Sequence, residues 1–335
     1  MRGLYEGRVE FNRTLCREHL HLRVRLADGF PPTQPGQFIQ LGCRPPDSIL
    51  ADRTVLHGEQ TCWRPDGPPR LGQIELCGAM ALLRRPFSLA GRVDEPGGAV
   101  LLDVMHRVVG VGTAWLAALE PGDPVDLLGP LGNQFELPPG KSLGLMVGGG
   151  VGLPPMFYLA EALSAAGWDG VGFVGAMTSD LLAVDWEEGI SPFPTGEPVA
   201  SIAQFARCGF PSVVTTDDGS LGLPGRITLG FERYLSMLDE PARRRAVVYT
   251  CGPEPMMRAV AAMAEAMDID CQVCLEQAMA CGMGTCQSCI VRIEHNPPQP
   301  DPLTPAHGRT PEGRTWRYNL ACTDGPVFPS NKVVW

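Results

Sequence analysis

Residues 142–167 read SLGLMVGGGVGLPPMFYLAEALSAAG, and this stretch decides how the second half of the chain folds. The run SLGLMVGG is short and apolar, which is typical of a buried strand. A glycine-rich turn follows, and then a helical segment, PPMFYLAEALSAAG, that Gly167 ends. A strand, a glycine turn and a helix in this order predict a parallel α/β sheet whose turn can approach a ligand closely.

The same pattern continues downstream of this stretch. GVGFVGAM, SVVTT and AVVYT are further candidate strands, and EPMMRAVAAMAEAM is a further candidate helix. Strands that alternate with helices predict a parallel sheet over residues 139–270. The segment at about 180–212 is rich in proline, glycine and acidic residues, so we interpret it as an insertion in this domain.

Upstream, residues 1–138 have a different character. Six short runs alternate in polarity or carry β-branched residues between turn residues: RVEFNRTL, LHLRVRLA, GQFIQLGC, RPFSLAGRV, AVLLDVMHRVV and DPVDLLGP. This pattern predicts an antiparallel barrel or sandwich, with an insertion at about 43–82. The expected fold class is therefore β followed by α/β.

Composition excludes several classes of function. The chain has 335 residues, enough for two or three domains, and a net charge of −10. So acidic a protein is a poor candidate for binding nucleic acid or an anionic membrane. The start, MRGLYEGRVEFNRT, lacks an apolar core, and the most apolar stretch is interrupted by glycine and proline. We expect a cytoplasmic protein without a membrane span.

Four of the twelve cysteines follow a known ligand spacing. Cys281, Cys286 and Cys289 form C-x4-C-x2-C, and Cys322 follows after 32 further residues. This is the plant-type pattern for a [2Fe–2S] cluster. Gly282 and the glycine at 284 allow the backbone to curl around such a cluster, with amide N–H groups directed at the sulfurs. Residues 271–335 are therefore expected to form a small C-terminal cluster domain.

Two other interpretations of the cysteines remain open. Cys271-x2-Cys274 and Cys286-x2-Cys289 are two CxxC pairs, which could hold a zinc ion, although the 11 residues between them are fewer than is usual. Zinc would leave Cys281 and Cys322 without a role. Buried thiols or a disulfide are the third interpretation.

Two stretches of the first domain could bind a flavin nucleotide. In the segment from Arg85 to Ser88, the arginine can pair with a phosphate, the serine hydroxyl can bond a ring nitrogen, and the aromatic residue can pack on a flat ring. Gly112 and Thr113 open a helical segment whose amides could hold a pyrophosphate. An ordinary edge-strand arginine and an ordinary helix cap are the alternatives.

Two glycine-containing turns of the second domain could bind a dinucleotide. VGGGVGLPP, residues 147–155, follows a strand and opens a helix, but Leu153 stands where a GxGxxG motif would have its last glycine. TCGPEPMM, residues 250–257, repeats the arrangement with a cysteine at the end of a strand. Strand ends at one edge of an open α/β sheet form its ligand crevice. A plain strand-ending turn is the alternative.

These motifs occur in one order: RPFS, GT, GGGVG, CGP and then the four cysteines. The ordered set resembles the ferredoxin–NADP reductase superfamily. Within it, the chain is similar to the electron-transfer subunits of NAD-dependent (type B) dihydroorotate dehydrogenase over nearly its whole length apart from the two insertions. LEQAMACGMGTCQSCIV and ACTDGPVF are the most specific stretches. The resemblance implies an antiparallel flavin-binding β-barrel, a parallel α/β NAD-binding domain and a small C-terminal [2Fe-2S] domain.

The resemblance also implies three sets of site residues. The FAD set is Arg85, Pro86, Phe87, Ser88, Met105, His106, Arg107, Gly112 and Thr113. The NAD set is Gly148, Gly149, Gly150, Gly152, Cys251, Gly252 and Pro253. The cluster set is Cys281, Cys286, Cys289 and Cys322. His106 departs from the family, which usually has a tyrosine there. No catalytic acid or base is expected in this chain.

The function that the resemblance implies is electron transfer in pyrimidine biosynthesis. Electrons would pass between NAD(H) and a separate flavin-containing catalytic dihydroorotate dehydrogenase subunit, in a heterotetramer. NAD is favoured over NADP because GAMTSDLLAVDWEE contains acids and no lysine or arginine for a 2′-phosphate. The alternatives are an electron-transfer subunit of a hydrogenase or bifurcating transhydrogenase, an oxygenase reductase, and a non-enzymatic zinc-binding scaffold.

Overall fold

The first part of the chain forms a closed antiparallel barrel. The computed structural model describes residues 2–27, 29–44, 83–295 and 306–335, so nearly all of the insertion predicted at about 43–82 lies outside the described residues. The barrel strands are connected in the order β1-β2-β5-β4-β3-β6. The elements of this part are β1 (Gly3–Cys16), β2 (His19–Leu26), β3 (Phe38–Leu41), β4 (Arg85–Asp94), β5 (Val100–Arg107), α1 (Val111–Ala117) and β6 (Pro124–Leu131).

Alternation of side chains closes the barrel around its own core. In β2, Leu22, Val24 and Leu26 are buried, and the arginines between them lie at its outer face. The two sides of a strand alternate, so one apolar face per strand suffices to fill the interior. The six predicted runs of the first domain coincide with these six strands, and the predicted fold class is confirmed.

The second part is a parallel sheet covered by helices. Its strand order is β10-β9-β8-β7-β11-β12-β16, and all neighbours are parallel except β12 and β16. The central strands are buried on both faces, as in other parallel sheets. The elements are β7 (Leu143–Gly149), α2 (Leu153–Ala165), β8 (Asp169–Ala176), α3 (Ala203–Ala206), β9 (Ser212–Thr216), β10 (Leu223–Pro224), α4 (Ile227–Met237), α5 (Glu240–Arg245), β11 (Ala246–Cys251), α6 (Glu254–Ala266) and β12 (Asp270–Cys274).

The C-terminal part holds the four predicted cluster cysteines. A three-stranded sheet in the order β13-β15-β14 consists of β13 (Ile290–Glu294), β14 (Gly308–Arg309) and β15 (Thr315–Leu320). The chain then returns to the large sheet, where β16 (Val327–Pro329) pairs with β12. The large sheet therefore extends beyond residue 270, and this return brings the loop after β15 close to the loop after β12. No helix within the described ranges is long and apolar enough to cross a membrane.

A buried carboxylate ties neighbouring barrel strands together. Asp103 on β5 accepts hydrogen bonds of 2.8 Å from His21 Nε2 and from two nitrogens of Arg23, both on β2. Burial alone would raise the pKa of this carboxyl group, but the bonds from His21 and Arg23 outweigh it and lower the pKa to about 2. The ion pair is therefore formed over most of the accessible pH range.

Removing this carboxylate should destabilise the protein. We expect Asp103→Asn to lower the free energy of unfolding at neutral pH by about 3–5 kcal/mol, because Arg23 loses its buried partner. The folded-state pKa lies below the ordinary value, so the wild-type contribution is present above about pH 4 and is lost as the pH falls towards about pH 2. Denaturant unfolding at several pH values measures both effects. If the free energy of unfolding of Asp103→Asn followed the same pH dependence as that of wild type throughout, this account would be contradicted.

Candidate functional site

Two cavities lie side by side between the barrel and the carboxyl edge of the large sheet. Each has a volume of about 590 Å³. We call the one against the barrel the barrel cavity and the one over the strand ends the sheet-edge cavity. Three residues line both of them: Arg107, Val151 and Glu276. Ligands that fill the two cavities would therefore meet at a shared wall.

The barrel cavity collects every residue predicted to hold a flavin. The strand residues of β4 and β5 and the first turn of α1 contribute to its lining: Arg85, Pro86, Phe87, Ser88, Met105, His106, Arg107, Gly112 and Thr113. Cys251, which was predicted for the dinucleotide site, lines this cavity and not the sheet-edge cavity. The lining is mostly apolar, with charge at its edge, as is usual for a cofactor site.

The side chains of Arg85 and Thr113 differ in whether their polar groups already have partners. Among the described residues, the Arg85 guanidinium donates only to the backbone carbonyls of Leu83, at 3.1 Å, and Arg84, at 3.5 Å. No described carboxylate neutralises it, so it can bind an anion. The hydroxyl of Thr113 already accepts hydrogen bonds from the amides of Val109 and Gly110, at 2.9 and 3.2 Å. Thr113 therefore organises the turn.

His106 is the clearest sign that the barrel cavity is built for a ligand. Its ring is 1% exposed, and within the described part of the chain neither ring nitrogen has a hydrogen-bond partner. Burial, and secondarily the nearby His19, lower its pKa to about 4, so the imidazole is neutral at physiological pH. A neutral imidazole offers one donor and one acceptor. The edge of an isoalloxazine ring carries both partners, so the residues present fit a flavin.

The sheet-edge cavity lies over the ends of four parallel strands. Gly149 ends β7 and Gly150 follows it, residues 175–177 span the end of β8, Asp217 follows β9, and Pro253 follows β11. This is the position where open α/β sheets bind nucleotides. Gly150 has a φ of +56°, and a Cβ atom there would meet nothing within 4 Å, so its backbone faces open space. The residues fit a dinucleotide that approaches the backbone closely.

The remaining predicted glycines support this cavity without lining it. A Cβ atom on Gly152 would collide with the carbonyl of Cys251 and lie 2.6 Å from the amide nitrogen of Gly252. Gly252 has a φ of +142°, and its own Cβ atom would lie 2.9 Å from the carbonyl oxygen of Gly149. Gly148 packs similarly closely against α2. The two turns, after β7 and after β11, are therefore in backbone contact, and only glycine allows it.

The charged groups of the sheet-edge cavity are not the ones that the sequence indicated. The acids of residues 175–188 were expected to select NAD, but Asp180 pairs with Arg17, at 3.0 Å, and Asp185 pairs with Arg13, at 2.6 Å. Asp217 lines the cavity in their place. The acidic pair TTDDG directly after the third strand was the signal that could have identified it.

Three further lining residues were not identified from the sequence. Arg226 precedes α4, Glu276 follows β12, and His19 opens β2 of the barrel. His19 and Arg226 belong to no motif, so no local signal marked them, and Glu276 lies in LEQAMACGMGTCQSCIV, a stretch interpreted for its cysteines and glycines. Burial raises the pKa of Glu276, which extends the range over which this carboxyl group is protonated.

The four predicted cluster cysteines lie together as two pairs. The amides of Met283 and Cys286 donate to Cys281 Sγ, at 3.5 and 3.4 Å. Cys322 interacts with Cys289 through their side chains and with the backbone of Gly284. Gly282 and Gly284 have φ values of +69° and +88°, which turn the loop back on itself. Paired sulfurs with amides directed at them fit a cluster in which each of two irons takes two thiolates.

One thiol of each pair, Cys286 or Cys322, has a shifted pKa. The hydroxyl and amide of Ser288, followed by Cys281, lower the pKa of Cys286 to about 6. Burial and the neighbouring Cys289 raise the pKa of Cys322 to about 12. A metal binds thiolate and displaces the proton, so Cys322 must lose its proton when the site is loaded.

The zinc interpretation does not fit the strand that carries the first CxxC pair. Cys271 and Cys274 are three residues apart on β12, so their side chains project to opposite faces of the sheet and lie in different cores. One ion cannot bind both.

Curated relatives match most of the chain, although no family model matches it. The chain is 34% identical over 254 residues to "Dihydroorotate dehydrogenase B (NAD(+)), electron transfer subunit" from Desulforamulus reducens, covering 76% of this chain and 81% of that protein. The protein of the same name from Geobacillus kaustophilus is 36% identical over 255 residues, 76% of this chain and 80% of the relative. The one from Caldanaerobacter subterraneus is 31% identical over 270 residues, covering 80% of this chain and 88% of that protein.

Solved structures share the fold at lower identity. The NADH-dependent reduced ferredoxin-NADP oxidoreductase superposes with a TM-score of 0.66 and 22% identity, covering 98% of this chain and 90% of that chain. The FAD/NAD binding domain of nitric oxide dioxygenase from Vibrio cholerae has a TM-score of 0.54 and 16% identity, covering 80% of this chain and 98% of that chain. These likenesses bear on the barrel-plus-sheet architecture alone.

Proposed function

The chain belongs to the family of electron transfer subunits of dihydroorotate dehydrogenase B, and on that premise we propose that it passes electrons between a catalytic dihydroorotate dehydrogenase subunit and NAD in pyrimidine biosynthesis. FAD would occupy the barrel cavity, NAD(H) the sheet-edge cavity and a [2Fe–2S] cluster the cysteine loops. An electron transfer subunit has a catalytic partner subunit, and we propose a flavin-containing one in a heterotetramer.

The shared wall of the two cavities is the observation that carries this proposal. Hydride transfer needs reacting atoms within about 3–3.5 Å of each other. Arg107, Val151 and Glu276 border both cavities, so ligands in the two cavities can come into contact. The cysteine loop begins at the same place, because Met279 lines the barrel cavity two residues before Cys281. NAD(H), FAD and the cluster would thus lie one after another in space.

The chemistry of the bound groups is general: a flavin accepts two electrons as hydride and releases them singly, and an iron–sulfur cluster carries one at a time. The protein's residues bind and orient these groups and exclude water from them. Arg85 would bind a flavin phosphate, His106 would meet the polar edge of the ring, and the glycines of the two turns would admit the dinucleotide. Gly282 and Gly284 would direct amides at the cluster sulfurs.

The visible spectrum of anaerobically purified protein tests this function. We expect flavin bands together with a broad iron–sulfur shoulder, both bleached by NADH, and dihydroorotate-dependent reduction of NAD⁺ after addition of the catalytic subunit. A colourless protein would refute the proposal. Bleaching by NADH without any response to the catalytic subunit and dihydroorotate would leave the cofactors in place and reject the partner.

The choice between NAD and NADP should depend on Asp217. A carboxylate in the dinucleotide cavity accepts a hydrogen bond from a ribose hydroxyl and repels a 2′-phosphate, which the nearby Arg226 could otherwise bind. We expect Asp217→Ala to shift the ratio of NADPH to NADH dissociation constants by about tenfold in favour of NADPH.

Asp218→Ala is the matched control for this change. Asp218 is the next residue, but it accepts hydrogen bonds from Ser220, at 2.7 and 3.0 Å, and does not line the cavity. We expect its dissociation constants to match those of wild type. Equal shifts in both variants would indicate a general field effect and contradict the specific role of Asp217.

His106 should stabilise the flavin complex at the expense of the cofactor-free protein. A buried polar group without a partner is costly, so we expect His106→Phe to raise the free energy of unfolding of the cofactor-free protein by about 1–2 kcal/mol. The same variant should bind FAD about tenfold more weakly, since it loses a ligand hydrogen bond. Denaturant unfolding and FAD titration measure the two effects, and His106→Gln, which keeps polar atoms, serves as the control. Loss of both stability and affinity would indicate a packing role only.

A further inference from the structure

A pair of thiols lies in the wall of the barrel cavity, apart from the cluster cysteines. Cys251 ends β11 and Cys274 ends β12, and the two residues are opposite each other in the parallel pairing of these strands. Both side chains are buried, both line the barrel cavity, and each thiol interacts with the other. Neighbouring strands are about 4.8 Å apart. That spacing is within the Cα–Cα range of a disulfide.

We propose that Cys251 and Cys274 are a redox modification site, at which a small peroxide closes a reversible disulfide. The peroxide would oxidise one thiol to a sulfenic acid and release one water molecule. The second thiol would then attack the sulfenic sulfur, forming the S–S bond and releasing a second water molecule. The two electrons thus pass from the thiol pair to the peroxide. A dithiol reductant restores the pair by thiol–disulfide exchange.

The two steps should differ greatly in rate. The contact with Cys274 and complete burial raise the pKa of the Cys251 thiol, so little reactive thiolate is present and the first oxidation is slow. The second step is fast, because the partner thiol is already in contact. The pair should therefore respond to sustained peroxide and not to a brief pulse, and the intermediate sulfenic acid should not accumulate.

Closing the disulfide would affect both cavities, and this consequence rests on the function proposed above. Cys251 leads into the turn that is in backbone contact with Gly152, and Pro253 of the same turn lines the sheet-edge cavity. Two residues after Cys274, Glu276 lines both cavities. A new bond between the strand ends would therefore displace the wall where the two ligands meet. Displacements of about 1 Å at such a wall can lower rates by about 100-fold.

Peptide mapping of the peroxide-treated holoprotein tests the proposal. Protein purified with its cofactors is incubated with hydrogen peroxide, its free thiols are blocked, and it is digested and analysed by mass spectrometry. We expect a species two hydrogen atoms lighter than the separate peptides, linking Cys251 to Cys274. The rate of flavin reduction by NADH should fall by about tenfold or more and return after dithiothreitol treatment. Cluster absorbance, followed in parallel, separates this effect from cluster damage.

Two serine variants complete the test. Cys274→Ser cannot form the disulfide. Peroxide should therefore cause no dithiothreitol-reversible loss in its rate of flavin reduction by NADH, measured against the same variant before treatment. Cys271→Ser is the matched control, because Cys271 lies on the opposite face of β12, and it should behave as wild type. Absence of the linked peptide, or the same reversible loss in Cys274→Ser, would overturn the proposal. If NADH reduces no flavin even before treatment, the proposed function fails, but the peptide map still decides the disulfide.

Discussion

Replacing Cys322 by alanine is expected to abolish the iron–sulfur cluster and to leave the flavin site intact. Cys322 comes from the loop after β15, is buried, and pairs with Cys289 across a gap of 32 residues in the chain. Without it, one of the two irons would lose one of its two thiolate ligands, so the cluster should not be retained. We expect electron transfer to the catalytic subunit to fall by about 100-fold or more. Flavin reduction by NADH should persist.

Iron content, the visible spectrum and dihydroorotate-dependent NAD⁺ reduction measure this result. Cys271→Ser is the control here as well, because that buried thiol of β12 is not one of the four predicted ligands, so the variant should leave the iron content unchanged. Retention of a full complement of iron in Cys322→Ala would contradict the assignment of this ligand. Loss of iron together with flavin would indicate that the C-terminal part had not folded.

Replacing Gly152 by alanine is expected to disrupt the predicted dinucleotide site more than an alanine at any other glycine of that site. The added Cβ atom would collide with the carbonyl of Cys251 and lie 2.6 Å from the amide nitrogen of Gly252. These are backbone atoms at the end of a central strand and cannot rotate away. The turns must separate, which should cost about 2–3 kcal/mol of stability. NADH affinity should fall by about 100-fold, because the turns form the wall of the cavity.

Gly97→Ala is the matched control for this substitution. Gly97 lies in the turn between β4 and β5, and a Cβ atom there would meet nothing within 4 Å. Its stability should stay within about 0.5 kcal/mol of wild type. Denaturant unfolding and NADH titration, carried out where both variants are folded, measure the two effects. Wild-type NADH affinity in Gly152→Ala would show that the contact between the turns does not shape the cavity.

The sequence alone determined the architecture, and it predicted which cysteines would hold the cluster. Strands and helices were predictable because their periodicity is local: SLGLMVGG and the helix after it can be recognised without knowing any neighbour. Three of the four predicted cluster ligands could be proposed for the same reason, since they lie in one short loop whose spacing is itself the signal. The flavin strand RPFS and the two glycine turns were weak signals singly, and their order along the chain made them specific.

Only the tertiary structure decided which charged groups line the sheet-edge cavity. Asp180 and Asp185 were expected near the dinucleotide, but each has an arginine partner on or just after β1, more than 150 residues away in the chain. Asp217 and Glu276 line the cavities because the parallel strands β9 and β12 both end at the same edge of the sheet.

The strand geometry also decided the roles of the extra cysteines. Cys271 and Cys274 look equivalent in the sequence, but the two-residue period of β12 places one in each core. Only Cys274 then meets Cys251 on the neighbouring strand. Local patterns define elements and single-loop ligands. The environment of a side chain depends on which distant elements pack beside it, and that information exists only once the chain has folded.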